Sequence, residues 1–245
     1  MSIRELHQRV KLIYNKLDSN HNQDFPPALL DMVIDGVIND YIDIFYSGNN
    51  FKNYKLGFEV TQQRIDMLST LVEQSFLQGS IVSGDIVFPF TSLKKPYRNF
   101  VRGSLKTTCG IIGFKIFPNG ELNSILNDPY QRSSRVWRRV VTSIKGDPES
   151  DYDSALIAHS SVDFPAEEID TTVDLTYIRR PKTVFFGGYN SIDGKYAFDD
   201  EPVDSDIPHD YQKSLLPTMV AQELSYIIND TTKFQLLKDK IITLS

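Results

Sequence analysis

The chain has 245 residues, with 26 Lys and Arg against 32 Asp and Glu, a formal charge of −6. That length suits one large domain or two small ones, and the acidic balance excludes a globally basic nucleic-acid binder. A content of 24% charged and 11% aromatic residues is not that of a disordered chain. The lone Cys109 excludes an intrachain disulfide and a four-cysteine metal site. His7, His21, His159 and His209 form no spaced ligand pair, and no cofactor motif is present. No apolar run approaches the roughly 18–20 residues that span a bilayer. The segment 1–10 is charged and lacks an apolar signal core, so no export signal is expected.

Residues 2–17 read as an amphipathic helix. Ile3, Leu6, Val10, Ile13 and Leu17 step by three and four onto one face, and Ser2 with Glu5 fits a capping box. A second helix is expected from Pro26–Pro27 to about Phe45, because proline suits a first turn. Leu30, Val33, Val37, Tyr41 and Ile44 form its stripe, widened by Leu29, Ile34, Ile38, Ile42 and Phe45. So wide an apolar face predicts burial on two sides. Asp31, Asp35, Asn39 and Asp43 make a polar edge at i, i+4 spacing. The spacing of Ile65, Leu68 and Leu71 or Val72 predicts a third helix over 62–74, packed antiparallel on the others.

From Gly79 onward β-branched and aromatic residues dominate, and strands are expected at 81–90, 107–117, 135–143, 154–162 and 171–178. Pro118-Asn119-Gly120 predicts a hairpin turn. An acidic loop over 187–206 precedes a helix carrying Leu216, Val220, Leu224 and Ile227, which Pro217 should kink or restart. A short helix over 232–244 closes the chain. The pattern predicts an α+β fold: a helical bundle built from both chain ends with a β-rich antiparallel central insertion. The boundaries read as a helical part over 1–78, a β-rich part over 79–186, and an acidic loop with bundle-completing helices over 187–245.

Charge is segregated. Residues 91–145 carry eleven Lys and Arg against Glu121 and Asp128, a net of +9. Residues 146–175 carry nine acids and no Lys or Arg, a net of −9. Three readings follow: a solvated surface with intramolecular ion pairs, complementary patches on neighbouring subunits, or basic loops facing a polyanion such as DNA. The densest basic run is RSSRVWRR. Arg132, Arg135, Trp137, Arg138 and Arg139 are the candidates for contact with DNA or a partner. On a strand Arg135, Trp137 and Arg139 would share one face, and Trp137 could stack a base or a partner side chain or sit half-buried in the core. Asp147, Asp151, Asp153, Glu167 and Glu168 are the candidate acidic partner surface.

No phosphate-binding loop, G-x-S-x-G elbow or H-E-x-x-H is present. Ser92 and Lys95 match S-x-x-K without its companion motifs. Asp147, Asp151 and Asp153 lack the glycine and terminal glutamate of a calcium loop. His159 lies among Ser160, Ser161 and Asp163, but a strand sends His159 and Ser160 to opposite faces. No enzymatic activity, catalytic residue or metal site is expected.

Gly57-Phe58-Glu59-Val60-Thr61-Gln62-Gln63-Arg64-Ile65-Asp66 leads from an extended segment into a helix. Tyr177-Ile178-Arg179-Arg180-Pro181-Lys182 ends a strand, and after an acidic loop Ile207-Pro208-His209 opens an apolar helix. In this order the chain resembles head–tail connector (ring or adaptor) proteins of tailed-phage virions, in the crAss-like podovirus group. The likeness covers 57–72 and 177–230. It implies a structural, non-enzymatic subunit forming a homo-oligomeric ring, typically of twelve copies, around the genome channel. Its implied partners are further copies of itself, the portal, neighbouring tail rings and genomic DNA. It implies no membrane, and a location in the virion after synthesis in the host cytoplasm.

Overall fold

The computed structural model describes residues 1–16, 25–47, 66, 68–147, 150–188, 201–208, 212–213, 215–228 and 234–238, the side chains of 16, 47, 147 and 150–153 excepted. The chain divides into two compact units, one made of Met1–Leu71 with Pro181–Ser245 and the other of Val72–Arg180.

In the first unit, α1 (Ile3–Lys16) and α2 (Pro27–Ser47) form where their spacing predicts. Ile3, Leu6, Val10 and Tyr14 are buried on α1. Leu30, Ile34, Val37, Ile38, Tyr41, Ile42 and Phe45 are buried on α2, which is the two-sided burial its width implied. The apolar helix near the C-terminus, Leu215–Ile227, packs on both α1 and α2, and Pro217 lies near its start. Residues 234–238 are also helical.

The helical bundle expected from the two chain ends does not form. Among the described residues, an extended segment at 184–186 lies against α2. The polar edge of α2 captures it: Asp31 Oδ2 accepts the Phe186 N–H at 2.7 Å, and Asp35 Oδ1 accepts the Val184 N–H at 2.9 Å. The His7 ring stacks on Phe186 at 4.7 Å and lies 2.7 Å from Asp31 Oδ1 through Nε2. Phe185 bridges Val203 in antiparallel fashion, and Asp204 accepts the Ile3 N–H at 2.6 Å. Buried backbone N–H groups need acceptors, and i, i+4 aspartates supply them at the spacing of an extended chain. The expected helix over 62–74 is also corrected, because its last residues belong to a strand.

The second unit is a β-sandwich. Its strands are β1 (Val72–Gln78), β2 (Ser80–Val82), β3 (Asp85–Pro89), β4 (Tyr97–Thr107), β5 (Gly110–Phe114), β6 (Val141–Asp147), β7 (Ser150–His159) and β8 (Ile169–Arg179). One antiparallel sheet runs β1-β8-β4-β5 and the other β2-β3-β7-β6. Their inner faces share one core, in which Leu77, Leu105, Ile112, Val173 and Leu175 meet Ile86, Phe88, Leu156 and Ala158. Gly103 lets the Phe114 ring lie across β4, where a Cβ would stand 2.1 Å from the ring.

Four local expectations fail in this unit. The strand expected over 81–90 is two strands, β2 and β3, joined by a turn at Ser83-Gly84, and the one expected over 107–117 crosses the turn between β4 and β5. Pro118-Asn119-Gly120 does not turn a hairpin; Pro118 caps a helix, α3 (Asn119–Asn127), that buries Ile125. Residues 135–140 are not strand, because β6 begins only at Val141. The helix Leu215–Ile227 is hereafter α4.

Candidate functional site

The basic run RSSRVWRR forms a tight exposed hairpin. Ser134 and Arg139 exchange backbone hydrogen bonds of 2.9 and 3.0 Å around a turn of residues 135–138. The turn closes only with Arg138 in the left-handed region, at φ +47°. Glycine or asparagine ordinarily takes that position. Arg135, Trp137 and Arg139 therefore do not share a strand face. The half-buried tryptophan is also corrected, since Trp137 is 65% exposed and Val136 82%.

The four arginines separate by partner. Arg132 pairs with Asp163 at 2.5 Å and Arg135 with Glu168 at 3.4 Å, so the +9 and −9 segments meet inside this unit. Arg139 donates from Nη1 to the carbonyls of Tyr130 (3.3 Å) and Gln131 (3.4 Å). Arg138 lines a cleft of about 620 Å³, together with Lys115, Phe117, Tyr130, Trp137 and Arg139. Three cations and four aromatic rings, Phe114 included, line it, and among the described residues no carboxylate does.

Three separate segments build this cleft, and hydrogen bonds fix each one. Phe117 donates its N–H to Thr142 O at 2.8 Å, and Thr142 Oγ1 donates to Lys115 O at 2.8 Å. Asp128 Oδ1 accepts the Tyr130 N–H at 2.8 Å. Beneath the hairpin, Ser133 is fully buried; its hydroxyl donates to His159 O at 2.5 Å and accepts the Val141 N–H at 2.9 Å. Sequence reasoning found Trp137, Arg138 and Arg139 but missed Lys115, Phe117 and Tyr130. The available signal was an isolated tyrosine in a polar turn.

Of the acidic candidates, Glu168 Oε1 receives Arg135 and its Oε2 accepts from Thr108 Oγ1 at 3.3 Å. Glu167 shares the same single turn, Ala166–Glu168. Asp147, Asp151 and Asp153 lie on β6 and β7, with side chains outside the described residues.

His159 finds partners across the sheet rather than beside it in sequence. Asp85, on β3, stands beside His159 Nδ1 at 2.8 Å; Ser143, on β6, stands 2.9 Å from Nε2. Asp85 pairs its second oxygen with the Ser160 N–H at 2.9 Å. Register explains the set: Ile86 opposes Ala158 and Val141 opposes His159, so all three side chains fall on one face. Their order matches a nucleophile, a base and an orienting acid. Ser143, however, is 2% exposed and His159 7%, which closes the hydroxyl to a substrate.

A second cavity of about 500 Å³ lies by Tyr97, Lys94, Arg98 and Arg180. Nearby, Arg179 and Lys95 both face Glu73, and burial pushes the Tyr177 phenol above its ordinary value while its OH donates to Lys95 O at 2.9 Å. Among the described residues, no cluster of His, Cys, Asp and Glu could hold a metal ion, and no helix is long and apolar enough to cross a membrane. No protein-family model matches the chain, and no curated protein matches it. The resembling segment 57–65 and His209 lie outside the described residues.

Proposed function

We propose that this chain is a structural, non-enzymatic subunit of a tailed-phage virion, a ring of the head–tail connector that surrounds the genome channel. One observation carries the reading: among the described residues neither β1 nor β5, the end strands of the β1-β8-β4-β5 sheet, pairs with a further strand, and each bears a bulky exposed apolar residue. Phe76 on β1 is 72% exposed and Ile111 on β5 is 78% exposed. Open, apolar strand edges invite pairing with another chain. Two different edges on one sheet are what a head-to-tail contact between identical copies requires, because such an interface joins unlike patches. The segment likeness to connector proteins supports the same reading.

Native mass spectrometry and negative-stain imaging test it. Wild-type protein should give a closed ring, of about the twelve copies that the resemblance implies. Phe76→Glu or Ile111→Glu should each leave monomer. Mixing the two variants should give a dimer and nothing larger, since one intact β1 edge and one intact β5 edge remain. A wild-type chain that stays monomeric, both isolated and extracted from particles, overturns the proposal.

A further inference from the structure

The geometry of the hairpin cleft points to a binding site for single-stranded nucleic acid, and we propose that function for it. The site is built rather than incidental. Its volume of about 620 Å³ falls in the range of small-ligand pockets. Trp137 and Tyr130 stand 65% and 78% exposed, on turns held by the Ser134–Arg139 backbone pair and by the Asp128 carboxylate. Lys115, Arg138 and Arg139 bring three positive charges to the same cleft, and among the described residues no carboxylate lines it.

That composition selects the occupant. Cations alone would take any anion, and exposed rings alone would take any apolar surface. Alternating phosphates and flat bases satisfy both within one repeating unit, and stacking on aromatic side chains is how sequence-tolerant single-strand binders work. A duplex conceals its base faces, so the reading is specific for single strands. Arg138 adds an independent sign. A non-glycine residue held at φ +47° is a strained conformation, and strain of this kind concentrates at functional sites. The guanidinium occupies the one turn position where glycine would fit more easily.

The proposal does not rest on ring formation, and the monomeric Phe76→Glu variant should bind equally well. The chain's only tryptophan is Trp137, so its intrinsic emission reports this cleft directly. The titrants are a twelve-nucleotide oligo-dT, the matching duplex, a twelve-residue polyglutamate and inorganic tripolyphosphate. Saturable quenching by oligo-dT alone is expected. Three phosphate contacts imply roughly 20-fold weaker binding between 50 and 200 mM salt. Arg138→Ala and Lys115→Ala should each weaken binding about tenfold or more, with unchanged circular dichroism. Equal quenching by polyglutamate would mark a docking surface for acidic protein and overturn the proposal. So would equal quenching by tripolyphosphate or duplex, or no quenching by any titrant.

Discussion

His159 on β7 and Asp85 on β3 meet at 2.8 Å, and that contact fixes which ring nitrogen of the histidine carries its proton. With Nδ1–H donated to Asp85, Nε2 accepts from the Ser143 hydroxyl. The chain ties three strands and the turn after β7 into one polar clasp. Asp85→Ala should destabilise this unit by about 2 kcal/mol, since it leaves a buried imidazole N–H and the Ser160 N–H without acceptors. Ser143→Ala should cost about 1 kcal/mol. Urea unfolding measures both. A fluorophosphonate probe should leave wild-type Ser143 unlabelled; stoichiometric labelling would show that the hydroxyl is accessible after all.

Asp35 makes the helical unit sensitive to pH. Burial pushes its carboxyl from 3.8 to about 6, and the nearby Asp31 charge adds to that, while the Val184 N–H opposes it. The folded state therefore holds a proton that the unfolded chain releases near pH 4. Stability from this group is complete below about pH 4 and is lost as pH rises through about 6. Asp35→Asn keeps an acceptor for Val184 but cannot ionise. It should flatten the dependence between pH 4 and 6 and stabilise the unit at pH 7.5 by up to about 1 kcal/mol, the side chain being only half-buried. Thermal melts across pH 4–8 would show it, and parallel curves for the two proteins would contradict the assignment.

Gly103 and Gly113 give a matched pair in one sheet. A Cβ at 103 would lie 2.1 Å from the Phe114 ring, whereas one at 113 would find its nearest neighbour at 3.9 Å. Gly103→Ala should cost about 2 kcal/mol by forcing the ring out of its core position. Gly113→Ala should be nearly neutral. Chemical denaturation of the two variants should separate them.

The hairpin turn should show opposed effects on stability and binding. A left-handed conformation costs an ordinary residue about 1 kcal/mol, and glycine relieves that at some cost in unfolded-chain entropy. Arg138→Gly should thus leave stability unchanged or raised by about 0.5 kcal/mol, while Arg138→Ala gains nothing. Both should lose the oligo-dT quenching of Trp137. A marked loss of stability in the glycine variant would remove the strain argument.

Helix α1, helix α2 and strands β7 and β8 were legible because long, strongly patterned segments announce their period. β4 was not legible. Its pairing with β8 shifts register between Tyr97 and Asn99, Phe100 and Arg102, and Leu105 and Thr107, which breaks the alternation a strand would otherwise show. β1 was hidden too: only Leu77 is buried along it, so the apolar spacing from Leu68 to Val72 looked helical. At Pro118-Asn119-Gly120 the same residues suit a turn or a helix start, and Ile125 settles the matter from five residues further on by entering the core.

The amino-acid order by itself determined that the chain carries amphipathic helices at its ends, antiparallel strands between them, and a basic run followed by an acidic one. Which charges are spent and which remain available was decided only by the tertiary structure. Asp163 and Glu168 take up Arg132 and Arg135 across 31 and 33 residues of sequence, whereas Arg138 joins Tyr130, Trp137 and Lys115 in a cleft drawn from three segments. Strand register and loop closure set those meetings, and neither is encoded in local spacing, because side chains far apart in the chain become neighbours only once the sheets have packed.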